Sequence, residues 1–177
     1  MDSEVIFKTN RLVIRPFCLS DESNFFDMMG NPNVMNPIPL KALSRTESNK
    51  KLKELLNLYK IDSDKKIWAV ELESNSEMIG LCGLIINNEN ENEIAYRFRE
   101  KFWNFGYGTE ITKELIDYGF NELSFKLITA DAYILNKKSI KIIEKFMVFN
   151  KEFYNQEEKC TDRRYKLTKN KWLISNS

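Results

Sequence analysis

The segment Trp103-Asn104-Phe105-Gly106-Tyr107-Gly108-Thr109-Glu110 holds the most informative spacing in the chain. Two glycines one residue apart permit a tight turn and let the backbone approach a ligand closely. The residues that follow have the 3.6-residue apolar period of a helix, so free N–H groups and the positive end of the helix dipole converge on this turn. That combination makes an anion site, most often for phosphate. No Gly-Lys-Ser/Thr follows, which excludes a P-loop, and Ile111 stands where a dinucleotide fingerprint needs its third glycine. A turn that only lets a strand pack on a helix needs the same glycines, so the spacing alone leaves the ligand open.

Absences narrow the chemistry. The chain has no histidine, the commonest metal ligand and the commonest general base, so Ser-His-Asp and Cys-His hydrolases are excluded. Cys18, Cys82 and Cys160 are odd in number and widely spaced, without a CxxC pair. They fit reduced thiols of a cytoplasmic protein better than a disulfide framework, and no metal site is expected. Lysine plus arginine total 27 against 26 acids, a net charge of +1 that gives no reason to expect nucleic acid or an anionic membrane as partner. The start, Met-Asp-Ser-Glu, does not read as a signal peptide, and no window approaches the roughly 20 apolar residues of a membrane helix. With 42% hydrophobic residues in 177, the expectation is one packed domain over residues 1–177.

The elements that must hold the glycine turn are legible from periodicity. Arg11 to Phe17 reads as a strand; Ser20 starts a short helix that Gly30-Asn-Pro-Asn33 stops, and Pro32 to Pro39 reads as loop. Ser44-Arg-Thr-Glu47 has capping-box spacing and opens a helix with Leu52, Leu55, Leu56 and Tyr59 on one face. Ile67–Glu73, Met78–Ile86 and Glu93–Arg99 are strands joined by polar turns. A long amphipathic helix spans about Gly108 to Leu123, and Lys126 to Leu135 is a further strand. Asn136 caps a helix carrying Ile140, Ile143 and Met147, and Val148–Tyr154 and Arg163–Thr168 close the fold as strands. The order β-α-α-β-β-β-α-β-α-β-β predicts an α/β (α+β) protein with a mixed sheet and helices on its faces.

On these residues the chain resembles the GNAT superfamily of acetyltransferases. Trp103 to Glu110 resembles the acetyl-CoA pyrophosphate loop, Gln/Arg-x-x-Gly-x-Gly/Ala, with Trp103 in the Gln/Arg position and Gly106 and Gly108 in the small ones. The likeness is to the branch that acetylates ribosomal protein amino termini (RimJ/RimL-like). Five other segments resemble it in order: Thr9 to Phe17, Asn31 to Met35, Trp68-Ala-Val with Met78 to Leu84, Glu93 to Phe98, and Asn136-x-x-Ser139 with Glu144-Lys145. One departure is Phe146-Met147-Val148-Phe149, where the branch has Leu-Gly-Phe; another is the short charged tail. Both bear on the substrate and on whether the protein is a monomer or homodimer.

The resemblance implies a GNAT fold of six to seven strands, mostly antiparallel, with about four helices and a splay between the fourth and fifth strands. It implies acetyl-CoA as cosubstrate and an amine, a protein amino terminus or a small molecule, as acceptor. Backbone groups of Phe98, Arg99 and Glu100 would meet the pantetheine amides, and N–H groups of Phe105, Gly106, Tyr107, Gly108 and Thr109 the phosphates. Asn136 would orient the pantetheine arm or cap its helix, and Lys137 and Lys138 would either meet the 3′-phosphate or be solvated. Ser139 is the candidate proton donor to the departing thiolate, or else a first-turn serine; Tyr133 is a second candidate, or else core.

Alternation puts Glu93, Ala95 and Arg97 on one strand face and Ile94, Tyr96 and Phe98 on the other. Glu93 is then either a general base of raised pKa or an exposed acid paired to Arg97. Trp68, Phe25, Phe26 and Tyr59 line an acceptor pocket or belong to the core. At pH 7 neutralising a lysine ammonium costs about 4–5 kcal/mol and an α-amine about 1 kcal/mol, so a histidine-free site suits an α-amine better. Two rival readings stay open at this point: a non-catalytic acyl-CoA-binding module, and a nucleotide-binding regulatory domain built on the glycine turn.

Overall fold

Alternating apolar runs between polar turns form the eight strands of one sheet in the computed structural model of the chain, which describes residues 4–61 and 65–175. In chain order the elements are β1 (Phe7–Lys8), β2 (Leu12–Arg15), α1 (Glu22–Met29), α2 (Pro32–Met35), α3 (Arg45–Leu58), β3 (Lys66–Leu72), β4 (Met78–Ile86) and β5 (Asn92–Phe98). They continue as α4 (Tyr107–Asn121), β6 (Leu127–Tyr133), α5 (Lys137–Ile143), β7 (Val148–Asn155), β8 (Cys160–Thr168) and α6 (Lys169–Ser175). The spatial order is β1-β2-β3-β4-β5-β6-β8-β7, and every neighbouring pair is antiparallel except β5–β6.

The mixed, mostly antiparallel sheet agrees with expectation, but eight strands and six helices exceed the six to seven and four expected. The additions have local causes. Pro32 opens the four-residue α2 inside the segment read as loop, because Asn31 Oδ1 accepts from the Asn33 N–H at 2.9 Å and proline suits a first helical position. The charged tail forms α6 because Trp172 is buried and its Nε1 donates to Asp117 at 2.8 Å. The turn out of α5 needs no glycine: Met147 N–H bonds Ile143 O at 2.9 Å, and no residue there takes a positive φ.

Helices cover both faces. Phe25, Met28 and Met29 of α1, Val34 and Met35 of α2, and Leu52 and Leu55 of α3 pack on one side with Phe17, Ala69 and Met78. Ile111, Leu115, Ile116 and Phe120 of α4 and Ile140 and Ile143 of α5 pack on the other against Ile14, Val70, Ile94 and Phe98.

The sheet is not continuous. Strands β4 and β5 pair at seven positions, whereas β5 and β6 pair only at Glu93↔Thr129 and then diverge. A polar clamp closes the base of this split. Thr129 Oγ1 donates to Asn92 O and accepts from Asn87 Nδ2, both at 3.1 Å. Arg164, almost fully buried on β8, grips Asp131 of β6 through Nε and Nη2 at 2.8 and 2.6 Å and reaches Asn88 Oδ1 at 2.8 Å in the β4–β5 turn. Replacing one member of a buried charge pair leaves the other uncompensated, which costs about 3–5 kcal/mol. Arg164→Met is therefore expected to lower unfolding stability by about that amount in urea denaturation at pH 7. A loss under about 1 kcal/mol would show that the clamp is dispensable.

Candidate active site

At the carboxyl ends of the diverging β5 and β6 lies a cleft of about 790 Å³. One wall is aromatic: Tyr96 and Phe98 of β5, then Phe102, Trp103 and Tyr107. The facing wall is Leu135, Asn136 and α5 with its lysines, and Val34 of α2 with Pro37 and Ile38 beyond it close the third side.

The glycine turn lines this cleft. Gly106 is the cap of α4 at φ +85°, a left-handed conformation that costs other residues roughly 1–2 kcal/mol. At Gly108 a Cβ would fall 2.9 Å from Ile142 Cδ1 and 3.6 Å from Tyr96 Cε2, so glycine lets the first turn of α4 press between α5 and β5 without displacing the end of Ile142. Thr109 and Glu110 N–H already donate to Gly106 O. The N–H groups of Gly106, Tyr107 and Gly108 precede that first bond and are available to an anion.

Support for the turn comes from the other end of the chain. Arg11 holds Glu110 through Nε at 2.8 Å and Nη2 at 2.6 Å, donates from Nη1 to Phe105 O at 3.0 Å, and lies 4.4 Å over the Tyr107 ring. Thr9 Oγ1 also donates to Glu110. The acid in the first turn of α4 is thus neutralised and does not repel an anion. Sequence spacing gave no hint of this contact, since 99 residues separate Arg11 and Glu110.

Positive charge concentrates opposite the turn. Lys137 and Lys138 line the cleft, and Lys141 and Lys145 join them. Lys145 Nζ donates to Thr109 Oγ1 at 3.2 Å, and Lys138 Nζ lies 5.0 Å over the Trp103 ring. The i, i+4, i+8 spacing of Lys137, Lys141 and Lys145 was the available signal for the two that sequence reasoning missed.

The backbone groups open to the cleft lie slightly earlier than Phe98 to Glu100. Arg99 N–H bonds Ile79 O at 2.9 Å, and the Arg97 carbonyl abuts Gly80, so the peptides of both face β4. Alternation turns those of Tyr96 and Phe98 toward the split. Phe98 O accepts from Trp103 Nε1 at 3.0 Å, which leaves the Tyr96 N–H and C=O and the Phe98 N–H for a ligand. The side chains of Arg99 and Glu100 turn elsewhere. Arg99 binds Asp27 and Glu77, both at 2.7 Å, and Glu100 accepts from Asn31 and Asn33. Phe105 is exposed, its ring stacked on Tyr107, and it stands outside the lining.

Asn136 caps α5, with Oδ1 accepting from Ser139 N–H at 3.2 Å, and both residues line the cleft. Ser139 Oγ lies 3.2 Å from the Tyr96 hydroxyl, and burial raises the Tyr96 pKa. Sequence reading placed Tyr96 on the correct apolar face of its strand but could not see Ser139 across the cleft. Tyr133 leaves β6 on the opposite face from buried Ala132 and does not line the cleft. Phe25 and Trp68 are core residues, Phe26 lies under Arg45, and the Tyr59 hydroxyl donates to Ile67 O; none of the four lines the cleft.

Glu93 is neither exposed nor paired to Arg97. It sits in the clamp below the cleft, outside the lining, where burial and then the neighbouring Asp131 carboxylate push its pKa up to about 8. Arg164 faces this pair and also meets Glu89 at 2.9 Å, so one guanidinium serves several carboxylates and burial favours a protonated Glu93.

Comparison with known proteins decides the family. The profile of the acetyltransferase (GNAT) domain matches residues 11–146. The chain belongs to the GNAT acetyltransferase family. It is an acetyltransferase, and enzymes of this family use acetyl-CoA. The uncharacterized protein YkkB of Bacillus subtilis strain 168 is 28% identical over 152 residues, 82% of this chain and 86% of that protein. The uncharacterized N-acetyltransferase p20 of Bacillus licheniformis is 27% identical over 146 residues, 81% and 82% of the two chains. Among solved structures, a GNAT acetyltransferase from Bacillus anthracis superposes with TM-score 0.78 at 23% identity, covering 91% of this chain and 96% of its own. Spermidine N-acetyltransferase from Vibrio cholerae, solved with CoA and spermine, gives 0.75 at 21%, covering 92% and 98%.

The clamp of this GNAT enzyme carries a pH signature. Glu93 keeps its proton in the folded state up to about pH 8 but loses it near the ordinary carboxyl value when unfolded. Its contribution is therefore fully present below about pH 4.5 and is lost as pH rises toward 8. Glu93→Gln mimics the protonated form, so urea unfolding from pH 5 to 8.5 should show the wild type losing stability relative to the variant. Parallel curves would contradict the assignment.

Proposed function

We propose that this enzyme transfers the acetyl group of acetyl-CoA to a primary amine by direct attack on the thioester, without an acyl-enzyme. The observation that carries the reading is the meeting in one cleft of a helix start, four lysines, open β5 peptide groups and a paired hydroxyl. Phosphates suit the N–H groups of Gly106 to Gly108 and the lysines of α5, and pantetheine amides suit Tyr96 and Phe98. The neutral amine nitrogen bonds to the carbonyl carbon and gives up a proton to water, the carbon–sulfur bond breaks, and the thiolate takes a proton.

Ser139 supplies that proton in this reading, with Tyr96 behind it to replace it. A cysteine acyl-enzyme is disfavoured, because burial holds the Cys82 thiol protonated and pushes Cys160 up to about 12, and neither lines the cleft. Glu93 stands outside the lining and would serve as base only through water, with its raised pKa limiting the ionised fraction near pH 7. An acceptor already partly neutral near pH 7, an α-amine, fits that limitation best. The amine of a protein amino terminus, as in the RimJ/RimL-like branch, and that of a small molecule both qualify. The chain acts in this reading as one domain in the cytoplasm.

The test is CoA thiol release with amino-terminal peptides, amino acids and polyamines as acceptors. Ser139→Ala and Tyr96→Phe are expected to lower kcat about 10²-fold with the KM for acetyl-CoA little changed, the usual size of a lost proton donor. Gly106→Glu should raise that KM at least tenfold. Wild-type kcat in both hydroxyl variants would remove the hydroxyl pair from the mechanism.

A further inference from the structure

The cleft contains a cation that no phosphate on the α4/α5 face accounts for. Arg97 leaves β5 on the side covered by α1 and α2, opposite to Tyr96, Ser139 and the lysine-bearing α5. Its Nη1 rests against sulfur atoms, Met29 Sδ at 3.1 Å and Met35 Sδ at 3.3 Å, which are weak acceptors. Its Nε is closed off from solvent and has no partner. Arg97 makes no ion pair among the described residues; Glu158 acts on it only at longer range. The other inward-facing arginines are paired: Arg15 with Asp21 and Glu71, Arg99 with Asp27 and Glu77, and Arg164 with Asp131.

A half-buried guanidinium that no carboxylate meets and whose Nε is shut off from solvent is costly, and a ligand that completes the pair would offset that cost. Burial draws the Arg97 pKa down to about 10, as expected for a cation without a compensating anion. No aspartate or glutamate lines the cleft, while Arg97, Lys137, Lys138, Lys141 and Lys145 do. This lining opposes a polycation and favours an anion on the α1/α2 side as well as on the CoA side. The planar fork of arginine matches a carboxylate through two parallel N–H···O bonds.

We propose that Arg97 is the carboxylate-binding residue of the acceptor site, and that the acceptor is a small amino carboxylate rather than a polyamine. The inference rests on acetyl transfer to an amine in this cleft. Arg97 would hold the acceptor carboxylate beneath Val34, Pro37 and Ile38 and so set the reach of the amine toward the thioester.

The test pairs carboxylates with their amides. Glycine, β-alanine, 4-aminobutyrate and alanylalanine are assayed with acetyl-CoA against the matched carboxamides and spermidine, using wild type, Arg97→Met and Arg97→Lys. The best carboxylate should exceed its carboxamide at least tenfold in kcat/KM. Arg97→Met should abolish that preference by raising the carboxylate KM at least tenfold, with the KM for acetyl-CoA changed less than twofold; Arg97→Lys should fall between. Arg97→Met removes an unpaired cation, so its melting temperature should match or exceed the wild type. Spermidine or carboxamides used as well as carboxylates, or a preference that survives Arg97→Met, would overturn the proposal. If no compound is acetylated, quenching of tryptophan fluorescence by the same carboxylates with CoA bound decides. Quenching lost in Arg97→Met supports the subsite while transfer fails, and absence of carboxylate binding overturns it.

Discussion

The whole site depends on two parallel strands that are neighbours at one residue pair and then part. Unpaired backbone N–H and C=O groups in a protein interior are costly, and a sheet ordinarily closes such a gap. Two constraints keep this one open. Below, Thr129, Asn87 and the Arg164–Asp131–Glu93 group fix β6 to the base of β5. Above, the first turn of α4 is wedged between Tyr96 and Ile142, with Gly108 leaving just enough room. The resulting row of free peptide groups is a template for an extended ligand carrying amides of its own.

The split also divides charge. On one side the start of α4 and the lysines of α5 form a field suited to phosphates, with Glu110 silenced by Arg11 and Thr9. On the other side a lone guanidinium faces the space left by α1 and α2. A cosubstrate and an acceptor approaching from opposite faces of the sheet would meet where β5 and β6 diverge, beside the Tyr96–Ser139 hydroxyl pair. The buried clamp beneath keeps Asp131 turned to Arg164 and Glu93 beside it, so it holds the split without presenting a carboxylate to the cleft.

Much of this was legible in local sequence. The glycine turn, the Ser44–Glu47 capping box, the Asn136 cap and the alternation along β5 are encoded within four to seven residues, where propensity and periodicity act directly. Contacts that depend on register were not legible. Glu93 was read as exposed or catalytic because its partner Asp131 lies 38 positions away (131 − 93) on a strand whose alignment periodicity does not specify. The same holds for Arg11 with Glu110 and for Arg164 with Asn88. The two readings of Tyr133 could not be separated because one residue of strand phase decides which face it takes, whereas α6 was missed because one buried tryptophan outweighs its charged neighbours.

Hydrogen–deuterium exchange with and without acetyl-CoA tests the central claim most directly, because it reads the unpaired peptide groups themselves. The account predicts slowed exchange in peptides covering residues 95–98, 105–109 and 136–145, with β1 and α3 unchanged. Binding of acetyl-CoA without protection of residues 95–98 would contradict the claim that the split between β5 and β6 is where the cosubstrate lies.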